Sequence, residues 1–359
     1  MSLAMSQIII STPDRRKLSQ TLVQNKQECI AKVDTQIPKP MAKAKVGNAK
    51  LPSIADLRQR FEQQPMRAEQ IDEIEAMNEK LHFEFGRGNM ALAYEVSPDL
   101  WQVLIDKRSG RIVAYVNGMR FSNGRMMCFK MVVLPKYRLL GLNRLYVQVP
   151  KFCTNARPIM ITNASNGQNQ CEFKQLCYNG LPNLSNLGKI SIPNSSDIKI
   201  GPLTNDKVDD VVGKYDSQII PKIDRTNFMS EWCYPQRYQV QAHCMVAVKD
   251  NKVVGYGVLR QGWQRGKGWF LSPIYADNDN IGARLALTLV STYVRPGQEV
   301  NFVCLSTNRT MMRVAQILQL QLETPLYHMH SAGSDLTLAD FHSSIAYDKV
   351  YCCIICWPV

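Results

Sequence analysis

The residues of this chain whose types and spacing could do chemistry are concentrated in one stretch, Val132-Val133-Leu134-Pro135-Lys136-Tyr137-Arg138-Leu139-Leu140-Gly141-Leu142-Asn143. An apolar strand ends at a proline, a basic loop follows, and a glycine stands where a helix could open. Such a segment can hold a diphosphate, because successive backbone N–H groups point at the anion and the helix dipole adds favourable charge. Gly141 would allow the backbone to approach closely, and Arg138 would add charge.

Other constellations read as structural. Cys352-Cys353-Ile354-Ile355-Cys356 is apolar and strand-like, so it is expected to be the last buried strand and not a metal site. Cys356 is fourth from the end, but Trp357 and Pro358 are not the aliphatic pair that prenylation wants. His328-Met329-His330 offers two ligands on one strand face, with no cysteine or histidine partner at a zinc spacing, so no metal is expected. His243 beside Cys244 would need a separate orienting group to act as a dyad.

Composition sets the frame. The chain has 359 residues, 45% apolar and 20% charged, which suits two ordinary globular domains. No long apolar run reads as a membrane span, and Met1 to Ile10 lacks the basic flank and cleavage site of a secretory signal. Eleven irregularly placed cysteines, an odd number, fit reduced thiols in an intracellular compartment, the cytoplasm or the nucleus. The formal charge is +13, and residues 1–50 hold nine basic side chains against Asp14, Glu28 and Asp34. That leader reads as disordered and solvated. Any contact with nucleic acid is expected to be weak and confined to it, since no aromatic stacking residues accompany the charge.

The surrounding elements alternate in kind. Two short amphipathic helices are expected between Ser53 and Leu81, separated by Pro65. A hairpin follows (Leu100–Ile105, turn Lys107–Gly110, Arg111–Met119), then a strand at Met126–Leu134 and another near Pro158–Thr162. Residues 179–200, rich in Asn, Ser, Pro and Gly, read as a linker. A second cycle then begins, with helical segments at Asp206–Lys214 and Asp224–Trp232 and a hairpin at Ala242–Lys249 and Val253–Leu259. A strand (Gly268–Ile274), a helix (Ile281–Tyr293), a strand (Glu299–Leu305) and a helix (Arg309–Leu320) complete it. Ile112-Val113-Ala114-Tyr115 pairs with Val253-Val254-Gly255-Tyr256 at an offset of 141, and Leu134-Pro135-Lys136-Tyr137 with Ser272-Pro273-Ile274-Tyr275 at 138. Nearly equal offsets at equivalent points indicate duplication. The expected organisation is a leader (1–50), a first domain (51–195) and a second (196–359), of mixed α/β class.

The Pro135–Tyr137–Arg138–Gly141 pattern resembles motif A of the GNAT (Gcn5-related N-acetyltransferase) superfamily, departing from it at Asn143, where the family has Gly or Ala. The second cycle resembles the C-terminal domain of YitH/HolE-type tandem acetyltransferases, through Val246–Arg260, Gly268–Asp277, Tyr215-Asp216, Asp224-Arg225, Trp232 and Asn308. The resemblance implies two tandem GNAT-like domains. Each would be a mixed, mostly antiparallel sheet with a splayed parallel strand pair flanked by helices. It further implies that the pantetheine arm of acetyl-CoA, or another acyl-CoA, enters the splay like an added strand. The implied cofactor residues are Val132, Val133, Arg138, Leu140, Gly141 and Asn143 in the first domain, and Ile274, Gly282 and Asn308 in the second. Family members often use a carboxylate base and a helix tyrosine as acid. The helix match here is Phe173-Lys174-Gln175-Leu176-Cys177-Tyr178, with Phe173 at the tyrosine position. Phenylalanine cannot donate a proton. Tyr178 and Asp216 are the remaining candidates, beside Asp209, Asp210 and Asp277, which read as surface acids.

The implied activity is acyl-CoA-dependent N-acetyl transfer to a small-molecule or peptide amine lying between the domains. The alternative is a catalytically degenerate copy used in CoA or ligand sensing or in protein interaction. Phe173, Asn143 and the acidic second loop, Asp277 and Asp279, favour that alternative.

Overall fold

The computed structural model describes residues 51–81, 88–120, 126–142, 144–145, 159–163, 171–189, 197–221, 224–237, 240–262, 268–322, 326–330 and 346–352. The chain begins with α1 (Ile54–Arg60), whose start is written in Ser53: its hydroxyl accepts from the Asp56 amide while the Asp56 carboxylate accepts from the Ser53 amide. Where two helices were expected to meet at Pro65, a strand intervenes, β1 (Phe61–Pro65). It pairs antiparallel with β2 (Gln102–Asp106), and pairing at a sheet edge tolerates the proline. Next come α2 (Ile71–Lys80) and α3 (Asn89–Val96). The predicted hairpin forms from β2 and β3 (Arg111–Arg120), and β4 (Met126–Val133) adds to β3.

β5 (Ile159–Asn163) lies parallel to β4, with Met127 opposite Ile159. Phe173–Tyr178, expected as a helix, lies instead within strand β6 (Cys171–Gly180). Hydrogen bonding to β11 on one side and to β12 and β13 on the other overrides its local pattern. The linker region is partly built: Leu184–Lys189 makes a short 3₁₀ run, and β7 (Ile198–Pro202) edges the sheet. Asp209–Tyr215 is π-helical and continues into α4 (Asp216–Ile219); α5 (Thr226–Cys233) follows.

β8 (Ala242–Lys249) and β9 (Lys252–Gln261) form a hairpin through Asp250 (φ 49°) and Asn251 (φ 60°). These residue types tolerate the left-handed pair that a tight hairpin turn requires. β10 (Gly268–Ala276), α6 (Asp279–Tyr293), β11 (Glu299–Leu305) and α7 (Arg309–Leu318) match expectation within two residues. α6 is capped by Asn278 and α7 by Asn308, and α7 buries Met311, Val314, Ala315 and Leu318 at helical spacing. β12 (Gln321–Leu322), β13 (Leu326–His330) and β14 (Val350–Cys352) complete the described strands. The side chains of His328 and His330 lie outside the described residues, as do residues 353–359 of the cysteine-rich run. Its described part is the buried strand β14.

The strands make one sheet, in the order β1-β2-β3-β4-β5-β13-β6-β11-β10-β9-β8-β7. The two sequence cycles exchange strands at its centre. β13, from the second cycle, lies between β5 and β6, and β6, from the first, pairs with β11. Alternate residues feed opposite faces. Val103 and Tyr115 join Cys244, Val246 and Tyr256 in one core that also takes Met90, Leu92, Phe228 and Trp232 from α3 and α5. Met245 and Ala247 join Leu285, Leu289, Val314 and Leu318 in the core beneath α6 and α7. Leu104, Val113 and Ala114 meet Leu57, Tyr137 and Leu142 in a smaller core beneath α1.

Candidate functional site

Each half contains a parallel strand pair that joins at one end and parts at the other. In the first half β4 touches β5 at Met127–Ile159, while the rest of β4 to Val133 is held on its other side by β3. Among the described residues no strand covers the far edge of β4 beyond that contact. Val132 is buried and Val133 half-buried, so the groups this edge offers are backbone amides and carbonyls. In the second half β10 pairs with β11 only through Gly268, Trp269 and Phe270, and then the two part.

The loop after β4 opens no α-helix in the described residues, but Leu142, Arg144 and Leu145 are 3₁₀-helical, with the Arg144 amide donating to the Gly141 carbonyl at 3.0 Å. Pro135–Tyr137 forms a 3₁₀ turn, Leu139 takes φ 68° and Gly141 φ 74°. A leucine in left-handed backbone is uncommon, and its side chain is 78% exposed. Gly141 fits the same geometry without a Cβ penalty. Tyr137 anchors the loop: its ring is buried against Phe61 at 5.9 Å, and its hydroxyl donates to Asp106 at 3.0 Å. Arg60 also binds Asp106, and its hydrogen bond, ahead of those from the Arg108 amide and Tyr137, holds that carboxyl below the usual range despite burial. Arg138 is exposed, and its Nε donates to the Val133 carbonyl at 3.1 Å. Leu140 is half-buried against the core beneath α1, and Asn143 lies outside the described residues. Lys136, Arg138 and Arg144 make the segment 135–145 cationic, with no acidic residue in it. A backbone edge followed by a cationic loop with left-handed residues suits a pantetheine diphosphate.

The matching loop of the second half has the opposite character. Asp277 accepts from the Tyr215 hydroxyl at 3.0 Å and from Lys349 at 2.9 Å, and Asp279 accepts from the Tyr351 hydroxyl at 3.0 Å. Ile274 is fully buried and pairs with Cys352 of β14. A Cβ on Gly282 would lie 2.7 Å from the ring of Tyr351. Asn308 caps α7 with its oxygen and donates its Nδ2 to the Val350 carbonyl at 2.9 Å. All three residues expected to hold cofactor in this half therefore contact β14.

The acid–base candidates lie in different surroundings. Asp216 is buried in a network: Arg225 grips both its oxygens at 2.8 Å, the Tyr256 hydroxyl donates to it, and Arg225 also donates to Tyr275. Burial opposes the charge of Arg225, yet the Asp216 carboxylate holds its pKa above the ordinary value. With both oxygens engaged, Asp216 is tied into the core of the second half. Tyr178 packs against Phe302 at 5.3 Å in the core beneath α6 and α7. Burial, with the Cys304 thiol beside it, pushes its phenol up to about 12. Asp209 and Asp210 are ion-paired with Lys214 at the surface. His243 stacks on Tyr293 at 3.8 Å, and burial lowers its pKa. The residues proposed for chemistry are thus not gathered at one point.

A feature the sequence did not announce lies between α3 and α5. The two helices leave a groove of about 760 Å³, lined among others by Leu92, Glu95, Asp224, Phe228, Glu231 and Arg237. Arg237 spans it, binding Glu95 at 2.7 Å and Glu231 at 3.0 Å. Beyond one end, fully buried Arg260 binds Asn89 at the start of α3 and the Glu231 and Trp232 carbonyls at the end of α5. Its guanidinium lies over the Trp232 ring at 4.6 Å, and burial lowers its pKa to about 10. Arg260 sits inside an apolar strand pattern, which hides it as a functional signal. No group of three or more metal-ligating side chains, and no helix long and apolar enough to cross a membrane, occurs among the described residues.

Comparison with known proteins places this architecture. Residues 212–342 match the acetyltransferase (GNAT) domain family. No curated protein matches the sequence. Among solved structures, a candidate acetyltransferase of Pyrococcus horikoshii is 14% identical, with a TM-score of 0.58 over 83% of this chain and 95% of that one. A tandem GNAT protein from the clavulanic acid biosynthesis pathway is 12% identical, with a TM-score of 0.52 over 77% of this chain and all of that one. Saccharomyces cerevisiae N-myristoyltransferase with bound myristoyl-CoA is 12% identical, with a TM-score of 0.54 over 82% and 86%. At such identities the structures establish the fold. The chain is a GNAT-fold protein with tandem GNAT-like halves.

Proposed function

We propose that this protein is an acyl-CoA-dependent N-acyltransferase that holds its cofactor in the first half and its acceptor amine in the groove between α3 and α5. The observation that carries the cofactor assignment is the edge of β4 leading into the cationic, acid-free loop 135–145. Val133, whose backbone groups face away from β3, would pair with the pantetheine once Arg138 releases its carbonyl, while the backbone of Val132 stays bonded to β3; Arg138, Leu140, Gly141 and Asn143 would surround the diphosphate. Acetyl-CoA is the expected donor, and it supplies the activated thioester acyl group.

The groove supports the acceptor assignment. Leu92 and Phe228 give it apolar walls, Glu95 and Glu231 are engaged by Arg237, and Asp224 is the lining carboxylate not ion-paired to it. That lining suits a cationic small-molecule or peptide amine whose apolar part is buried. Hydrogen bonding from Thr226 holds Asp224 below the ordinary carboxylate range, so it stays charged at neutral pH. Direct transfer needs the amine neutral at the moment of attack, and orientation of the two substrates supplies much of the acceleration. Arg237 bridges Glu95 and Glu231 across the groove.

The test is thiol release from acetyl-CoA across a panel of mono-, di- and polyamines and lysine peptides. Release that depends on an added amine, with the acylated amine identified by mass, is the expected result. Coenzyme A binding without transfer to any amine would contradict the enzyme reading.

A further inference from the structure

We propose that β14 is the resident occupant of the second half's splay, standing where an acyl-CoA arm would add as a strand. The protein would then bind one acyl-CoA per chain; this count rests on the cofactor reading above, whereas the occupancy by β14 does not. β10 and β11 pair at Gly268–Phe270 and then part, and the far part of β10 pairs with β14 at Ile274–Cys352 and Tyr275–Val350. This is strand addition performed within the chain: main-chain groups that an extended ligand would satisfy are satisfied by residues 350–352.

Four further contacts fit the loop to this strand and not to a diphosphate. The Tyr351 ring covers Gly282 in the first turn of α6, where any larger residue would collide with it. The Tyr351 hydroxyl donates to Asp279, the Asn308 amide donates to the Val350 carbonyl, and Lys349 binds Asp277. The loop is acidic where a diphosphate needs cations, and the incoming segment brings the matching donors. Val350, Tyr351 and Cys352 are each at most 2% exposed. Gly282 and the α6 N-terminus, the features most suggestive of phosphate binding in the sequence of this half, are therefore the seat of Tyr351.

Hydrogen–deuterium exchange on the full chain, with and without coenzyme A, together with calorimetric stoichiometry, tests the proposal. Without ligand, residues 350–352 and 274–275 should be as protected as the centre of β9. Saturating coenzyme A should leave them unchanged, add protection in residues 127–141, and bind with a stoichiometry of one. Free exchange of 350–352 in the unliganded protein, loss of their protection on adding coenzyme A, or a stoichiometry of two would overturn it. If coenzyme A does not bind at all, the cofactor reading fails, and protection of 350–352 still decides the occupancy. Tyr351→Ala should speed exchange at Ile274 and Cys352 at least tenfold, and unchanged exchange would remove Tyr351 as the anchor.

Discussion

The two halves solve the same geometric problem with opposite chemistry. Each opens a parallel strand pair beside a loop, but the first lines its loop with Lys136, Arg138 and Arg144, and the second with Asp277 and Asp279. Each also ties a tyrosine and an arginine to a buried aspartate. In the first half Asp106 holds Arg60, whose side chain is 33% exposed, together with Tyr137 of the loop. In the second half Asp216 holds Arg225 with both side chains 3% exposed, together with Tyr256. Under the proposed cofactor assignment, the two halves share a fold without sharing a site. One copy can keep an open edge while the other becomes a scaffold, its edge closed by its own chain and its polar network buried.

The sharpest way to break that contrast is to remove the two aspartates in turn. Asp216→Ala leaves Arg225 charged and unpaired in the core, and should cost about 3–5 kcal/mol in urea unfolding. Asp106→Ala leaves Arg60 within reach of water but strips the buried Tyr137 hydroxyl and the Arg108 amide of their acceptor, and should cost about 2 kcal/mol, less than the Asp216 variant. Equal losses would mean that the two networks are equivalently buried. Next in size, Gly282→Ala forces the Tyr351 ring to move and should destabilise by about 2 kcal/mol, as overpacking does. Gly141→Ala, where no backbone is in the way, should lose only the left-handed strain of about 1–2 kcal/mol.

Charge in the loops should then separate function from scaffold. Arg138→Glu should weaken coenzyme A binding roughly tenfold or more, the scale of one lost charge-assisted hydrogen bond. Asp279→Ala should loosen Tyr351 without changing that affinity, and calorimetry on both variants checks the pair. The smallest expected effects concern pH. Burial raises the phenols of Tyr215, Tyr256 and Tyr351 above their ordinary value, and Tyr178 up to about 12. Their protonated forms are favoured in the folded state. The stability they contribute is thus fully present below about pH 10, the free phenol value, and is lost as pH rises beyond it. Asp106 has the reverse sign: its folded pKa is depressed, so its contribution is present above about pH 4 and lost as pH falls. Thermal melts across pH should show the alkaline loss slowed by Tyr351→Phe and the acid loss reduced by Asp106→Asn.

Much of this contrast could be read from local pattern. The hairpins, the two cycles and the boundaries of β10, α6, β11 and α7 follow from alternation, turn residues and caps, which act over a few positions. The difference between the two loops was likewise visible as charge. What pattern could not show is who pairs with whom. β6 carries a helix-like motif but is a central strand, because β11, β12 and β13 flank it from far along the sequence. The exchange of β6 and β13 between cycles, and the entry of β14 beside β10, are contacts across tens to more than a hundred positions. Arg260 was invisible for another reason: it sits in an apolar strand, and only the packing of α3 against α5 gives it partners. Asp216, a candidate base by sequence, is half of a buried ion pair with Arg225, a partnership nine positions away that the pattern does not reveal.

The most direct measurement is a crystal structure of the full chain grown with coenzyme A. Density for the pantetheine arm is expected along the edge of β4, with the diphosphate over residues 135–145 and β14 still beside β10. Density between β10 and β11, with Val350–Cys352 displaced, would contradict it.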